Sequence, residues 1–144
     1  MIDLEAYFAR VGYDGPVAPT LAVLNDLMSA HVQAIPFENL DVLLQRGIDL
    51  TPEALQRKLV DERRGGYCFE QNGLLLLVLG AIGFAVTPLS ARVRYQRPRD
   101  YTPARTHLFL RVEIEILTGH ESWESLVSRI CQPRTLAAPD RFFA

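Results

Sequence analysis

Apolar residues recur at helical spacing along the first half of the chain, and beyond Phe84 they switch to strict alternation. Leu4, Tyr7, Phe8 and Val11 share one face behind Asp3, a helix-capping residue type, and Gly12 and Gly15 end that run. Thr20 caps a second helix carrying Leu21, Leu24, Leu27, Met28 and His31, which stops before Pro36. A third begins at Thr51 with Pro52 in its first turn, where the missing N–H costs nothing. A fourth starts at Cys68, continues through the apolar run Leu74 to Leu79, and closes near Gly80 to Gly83.

Leu108, Leu110, Val112, Ile114 and Ile116 alternate with polar residues, while His107, Arg111, Glu113 and Glu115 point the other way. This pattern predicts a half-buried strand. An earlier strand, from about Ala85 to Tyr95, precedes a loop containing Pro98, Asp100 and Pro103. Helices followed by strands predict an α+β fold rather than a parallel βαβ sheet. No internal repeat, low-complexity tract or Gly/Ser linker interrupts the chain.

The stretch Arg64-Gly65-Gly66-Tyr67-Cys68-Phe69-Glu70-Gln71-Asn72 sets a cysteine between a paired-glycine turn and the start of the fourth helix. Unpaired N–H groups at a helix N-terminus favour thiolate over thiol, and Arg63 and Arg64 add positive charge just upstream. Cysteine alone is more readily a small core hydrophobe; its neighbours reverse that and make it a candidate nucleophile. Such a thiol needs a base, and His107 fits by position and type, although by residue type alone it is equally a plain strand residue. His31 reads as a core-edge residue and His120 as part of the turn Thr118-Gly119-His120. Cys68, His107, His120 and Cys131 lack the close pairs of a zinc site, so no metal is expected.

At 144 residues, with 49% hydrophobic and 22% charged positions, the chain is long enough for one packed core and too apolar for disorder. A net charge of -2 argues against nucleic acid or an anionic membrane as partner. The local patch Arg92, Arg94, Arg97 and Arg99 reads first as a solvated strand edge and second as a seat for a phosphate-bearing cofactor such as coenzyme A. No run is long enough to span a membrane and no basic-then-apolar leader opens the chain, so a cytoplasmic protein is expected. Two cysteines are too few for a disulfide framework, and a reducing compartment keeps Cys68 available.

The stretch from Arg64 to Asn72 resembles the nucleophile motif of the arylamine N-acetyltransferases. Pro36-Phe37-Glu38-Asn39-Leu40-Asp41 resembles that family's segment after the second helix, and Thr106-His107-Leu108 its segment with the catalytic histidine. The likeness runs from Met1 to about Ile114. It implies a helical bundle over residues 1–83 followed by an incomplete antiparallel β-barrel over 84–127, with a core similar to that of cysteine proteases and transglutaminases. It further implies ping-pong acetyl transfer from acetyl-coenzyme A, through an acetyl group on Cys68, to an arylamine, arylhydrazine or hydrazide, as in xenobiotic metabolism. In that reading His107 is the base, Phe37 and Phe69 line the acceptor pocket, and Glu38 pairs with Arg64 to hold the cysteine turn. Phe37 is equally well explained by ordinary core packing.

The C-terminal part departs from the family pattern, which places a Val-Asp-Val-Gly-Phe-Gly-like run beyond a tryptophan. Here Trp123 is followed by Glu124-Ser125-Leu126-Val127-Ser128, with no aspartate before Asp140. The third catalytic carboxylate is therefore unassigned, with Glu113, Glu115, Glu121 and Glu124 as substitutes that no spacing favours. Residues 128–144 read as a divergent tail, and the chain as a truncated or frame-shifted relative. The competing expectation is a catalytically inactive relative that serves as a binding or dimerising module.

Overall fold

A computed structural model describes residues 2–114 of the chain. Helix α1 (Leu4–Val11) starts where Asp3 Oδ1 accepts the Ala6 N–H at 3.0 Å, and it ends at Gly12 with φ 70°. That left-handed backbone suits glycine, which has no Cβ to clash. Helix α2 (Leu21–Ala34) is capped by Thr20, and Pro36 follows its last turn. A single turn, α3 (Leu40–Leu43), lies where no apolar periodicity predicts one, and none of its residues is buried. Helix α4 (Pro52–Leu55) has the expected Thr51 cap and then widens into a π-helical stretch, Gln56–Asp61. Leu59 and Val60 of that stretch are buried, and Lys58 reaches out of it to Asp41 in α3. Helix α5 (Cys68–Ile82) is apolar on nearly every face and closes at Gly83, φ 107°. Such a helix belongs in the middle of a core.

Strands β1 (Ala85–Arg92) and β2 (Arg105–Glu113) form an antiparallel pair, Ala85 opposite Glu113 and Ala91 opposite His107. The first strand ends at Arg92, three residues short of the expected Tyr95, because Arg92 and Arg94 turn to bond the carbonyls of Pro103, Arg99 and Tyr101 in the connection. Two of the expected basic-patch residues thus knit this connection, and Arg97 lies over the Tyr101 ring, 5.5 Å from its centre. The second strand begins at Arg105, two residues before His107, which the alternation also places in it. The expected alternation holds from Leu108 to Ile114, with Leu110, Val112 and Ile114 against the core and Arg111 and Glu113 exposed. Ile116, Glu115, His120, Trp123, Cys131 and the segment 128–144 lie outside the described residues.

One apolar cluster joins these elements. Tyr7 from α1, Leu27 from α2, Leu59 from the π-helical stretch, and Leu74 and Val78 from α5 have no exposed surface. Each such aliphatic side chain contributes about 1.5–3 kcal/mol through burial. The arrangement is α+β, helices first and an antiparallel sheet after, and α5 packs on both strands.

Candidate active site

Cys68 is the first residue of α5, and the turn ahead of it is held by backbone pairing across the chain. Gly66 N–H donates to Pro36 O at 3.2 Å and Glu38 N–H donates to Gly66 O at 3.0 Å, a short parallel bridge. A Cβ on Gly65 would collide with the Pro36 carbonyl, and one on Gly66 would lie 2.9 Å from Leu59 Cδ2. Close approach is why glycine stands at both positions. Tyr67 N–H donates to Glu70 Oε2 at 3.0 Å, the reciprocal half of a capping box.

The half-buried Cys68 thiol donates to Thr106 O at 3.7 Å, on the residue immediately before His107. Thr106 has no partner on β1, since Ala91 faces His107 and Arg92 faces Arg105. This extra residue is a bulge, a device that re-aims side chains next to sites. Alternation alone does not reveal it. Asn72 fixes the two elements together, its Nδ2 donating to Cys68 O at 3.0 Å and Leu108 O at 2.9 Å. Cys68 and the His107 strand are therefore stitched at two neighbouring points.

Glu38 and Arg64 pair, and Glu38 Oε2 also accepts the Gly65 N–H at 3.2 Å. Arg64 further reaches Asp41 Oδ2 at 2.9 Å, and Lys58 bridges Asp41 at 2.7 Å to Glu70 at 2.6 Å. Two carboxylates meet the Arg64 guanidinium, so the positive charge it brings near the thiol is balanced. Hydrogen bonding from Arg64 holds the Glu38 carboxyl below its ordinary 4.5, and hydrogen bonding from Lys58 holds Asp41 below 3.8. Burial alone would pull Lys58 down, but its bonds to Asp41 and Glu70 outweigh that and raise it. Asp41, Lys58, Glu70 and Asn72 were not singled out by sequence reasoning. The signal available was the polar run Glu70-Gln71-Asn72 opening an otherwise apolar helix.

Phe37 is 70% exposed and lines an open groove of about 330 Å³ with Met28, Val32, Ile35 and Leu75, where His31, Gln71 and Asn72 supply the polar atoms. Phe69 is not among the groove's lining residues and packs instead toward Tyr67, ring centres 5.5 Å apart. Of the carboxylates considered as a third catalytic group, only Glu113 is described. It lies six residues along an extended strand from His107, about 20 Å away at ~3.3 Å per residue, and accepts from Arg111 at 3.1 Å. Glu113 is thereby removed from the choice.

His31 is buried, 3% exposed, with Nδ1 3.0 Å from Tyr7 Oη and Nε2 2.8 Å from Gln71 Oε1. Burial pushes its pKa below 6.5, partly opposed by the Gln71 bond and reinforced by the Arg10 charge. On acidification the unfolded chain takes up this proton first, so His31's stabilisation is complete above 6.5 and lost as pH falls toward the folded value. Glu38 and Asp41 behave similarly at lower pH, their stabilisation complete above 4.5 and 3.8 respectively and lost below. A urea midpoint measured against pH is expected to fall in two stages, and His31→Gln to lack the first.

The family model described as N-acetyltransferase matches residues 20–118, which include both the cysteine turn and the His107 strand. The chain belongs to the arylamine N-acetyltransferase family. It is 50% identical over 113 residues to the arylamine N-acetyltransferase of Mycobacterium tuberculosis H37Rv, covering 77% of this chain and 40% of that protein. With the Escherichia coli K12 arylamine N-acetyltransferase it shares 46% identity over 138 residues, 96% of this chain and 47% of that one. That match runs past Ile114 well into residues 115–144. Among solved structures, the Mycobacterium marinum arylamine N-acetyltransferase in complex with CoA is similar with a TM-score of 0.74 and 52% identity, over 78% of this chain and 42% of that one. The chain spans less than half the length of these relatives.

Proposed function

We propose that this chain transfers an acetyl group from acetyl-coenzyme A to an arylamine, arylhydrazine or hydrazide, through an acetyl group held on Cys68. The observation that carries the reading is the thiol of Cys68, at a helix N-terminus, against the carbonyl of Thr106 beside His107. The complex of the M. marinum relative with CoA supports the donor, and the names of the relatives support the acceptor class.

In the first half-reaction His107 takes the thiol proton and the thiolate attacks the thioester carbonyl carbon. The bond from that carbon to the coenzyme sulfur breaks, and coenzyme A leaves with the proton from the imidazolium. In the second, the acceptor nitrogen attacks the acetyl-cysteine, His107 takes its proton, and the carbon–sulfur bond to Cys68 breaks. That proton returns to the thiolate, so the enzyme ends as it began. The Phe37 groove offers an apolar bed for an aromatic acceptor. Ala85–Arg92 and Arg105–Glu113 are read as the first strands of an antiparallel barrel, on a core of the cysteine-protease and transglutaminase type. A reducing cytoplasm suits a reaction that needs a free thiol.

Brief exposure of the purified chain to acetyl-coenzyme A, followed by proteolysis and mass mapping, tests the reading. One added acetyl group on the peptide containing Cys68, discharged by an arylamine, is the expected result. A folded sample that gains nothing would sink it in favour of an inactive binding or dimerising relative.

A further inference from the structure

We propose that His31 is a positioning residue for the cysteine turn: it fixes the direction of the Gln71 side-chain amide, and that amide ties the backbone carbonyls that shape the turn. The inference rests on Cys68 being the nucleophile, since positioning matters only if that residue reacts.

Gln71 Nε2 lies 2.9 Å from Pro36 O, 3.2 Å from Ile35 O and 3.3 Å from Gly66 O. Three carbonyl oxygens only accept, so the end of the amide facing them must be the NH2 group. Its oxygen therefore faces His31 Nε2 at 2.8 Å, and that ring nitrogen must carry a hydrogen. In a neutral ring Nδ1 is then the acceptor, and the Tyr7 hydroxyl, 3.0 Å away, donates to it. Donation thus runs one way, from α1 through α2 to α5, and ends on the turn before Cys68.

Each alternative leaves a buried group unsatisfied. Flipping the amide would set its oxygen against three carbonyl oxygens. Protonating Nδ1 would bury a cation near Arg10 and force the Tyr7 hydroxyl to reverse, although Tyr7 has no exposed surface. Among the described residues, Tyr7 on α1 and Gln71 on α5 bond the ring, and Arg10 on α1 is the charge that acts on it. Pro36 O and Gly66 O are the two acceptors of the parallel bridge itself, so the amide reinforces the pairing that places Cys68 at the start of its helix. His31 acts on the site through Gln71 and has no role in bond making.

The test uses the full chain labelled with ¹⁵N-histidine. Ring ¹⁵N–¹H spectra at about pH 7 to 8 are expected to show His31 as the neutral Nε2–H tautomer; an Nδ1–H or cationic ring would overturn the assignment without need of any variant. In His31→Leu, exchange of the Glu38 and Gly66 amides is expected to accelerate about tenfold, the effect of losing a buried hydrogen bond. His31→Gln, which keeps an N–H donor toward Gln71, should restore most of the protection and of the acetyl-uptake rate. Unchanged exchange and uptake in His31→Leu would remove the role of His31 while leaving the reaction intact. Failure of the unaltered chain to take up acetyl would remove the reaction while leaving the tautomer and exchange results readable.

Discussion

Replacing Cys68 by serine is expected to abolish acetyl uptake from acetyl-coenzyme A, by about 10⁴-fold or more as for loss of other covalent nucleophiles. The substitution exchanges one small atom for another at a half-buried position whose thiol contact among the described residues is a long 3.7 Å bond to Thr106 O. Folding has little reason to change. A serine hydroxyl holds its proton far more tightly than a thiol, and a neighbouring imidazole recovers only part of that difference unless the whole site is built for it. Intact mass after exposure to acetyl-coenzyme A, with a urea midpoint on the same sample, separates chemistry from folding. Uptake by the serine variant at the unaltered rate would place the nucleophile elsewhere.

The second large effect is on stability. Lys58→Met removes the cation that bridges Asp41 and Glu70, and the loss falls unequally on the two. Asp41 keeps Arg64 at 2.9 Å and Arg46 at 3.5 Å. Glu70 is 3% exposed and retains only the Tyr67 N–H among its described hydrogen bonds. An ionised carboxylate left buried without its cation typically costs about 3–5 kcal/mol. The variant is therefore expected to lose about 3 kcal/mol in urea unfolding, the lower end being appropriate because Lys58 is not wholly buried. Adding Glu70→Gln removes the stranded charge while keeping an acceptor for Tyr67, and it should recover most of the loss. A double variant no more stable than Lys58→Met alone would show that the cost comes from lost packing of the lysine stem.

Most of the helical half could be read without coordinates. Asp3, Thr20 and Thr51 cap as their residue types prescribe, and each hydrogen bond of this kind joins residues three apart, which is local information. The turn α3 and the π-helical stretch were not legible. The first buries no residue that an apolar pattern could announce, and the second differs from an ordinary helix only in where its hydrogen bonds fall. The strand limits shifted for a related reason, since Arg92 and Arg94 fold back onto carbonyls at the far side of the connection.

What the sequence by itself determined is the family, the α+β order of elements and the identity of the residues offered for chemistry, because short motifs and periodicity are written in adjacent positions. Only the tertiary structure decided that Asp41 joins Glu38 on the Arg64 guanidinium, that a bulge at Thr106 meets the thiol, and that Phe37 but not Phe69 lines the groove. It also turned His31 from a core-edge residue into the middle of a chain of donors reaching the cysteine turn. The Arg64 ion pairs, the thiol contact and the two His31 bonds join residues 23 to 40 positions apart. Charge pairing and hydrogen-bond direction depend on which side chains folding brings within about 3 Å of each other, and no local pattern carries that information.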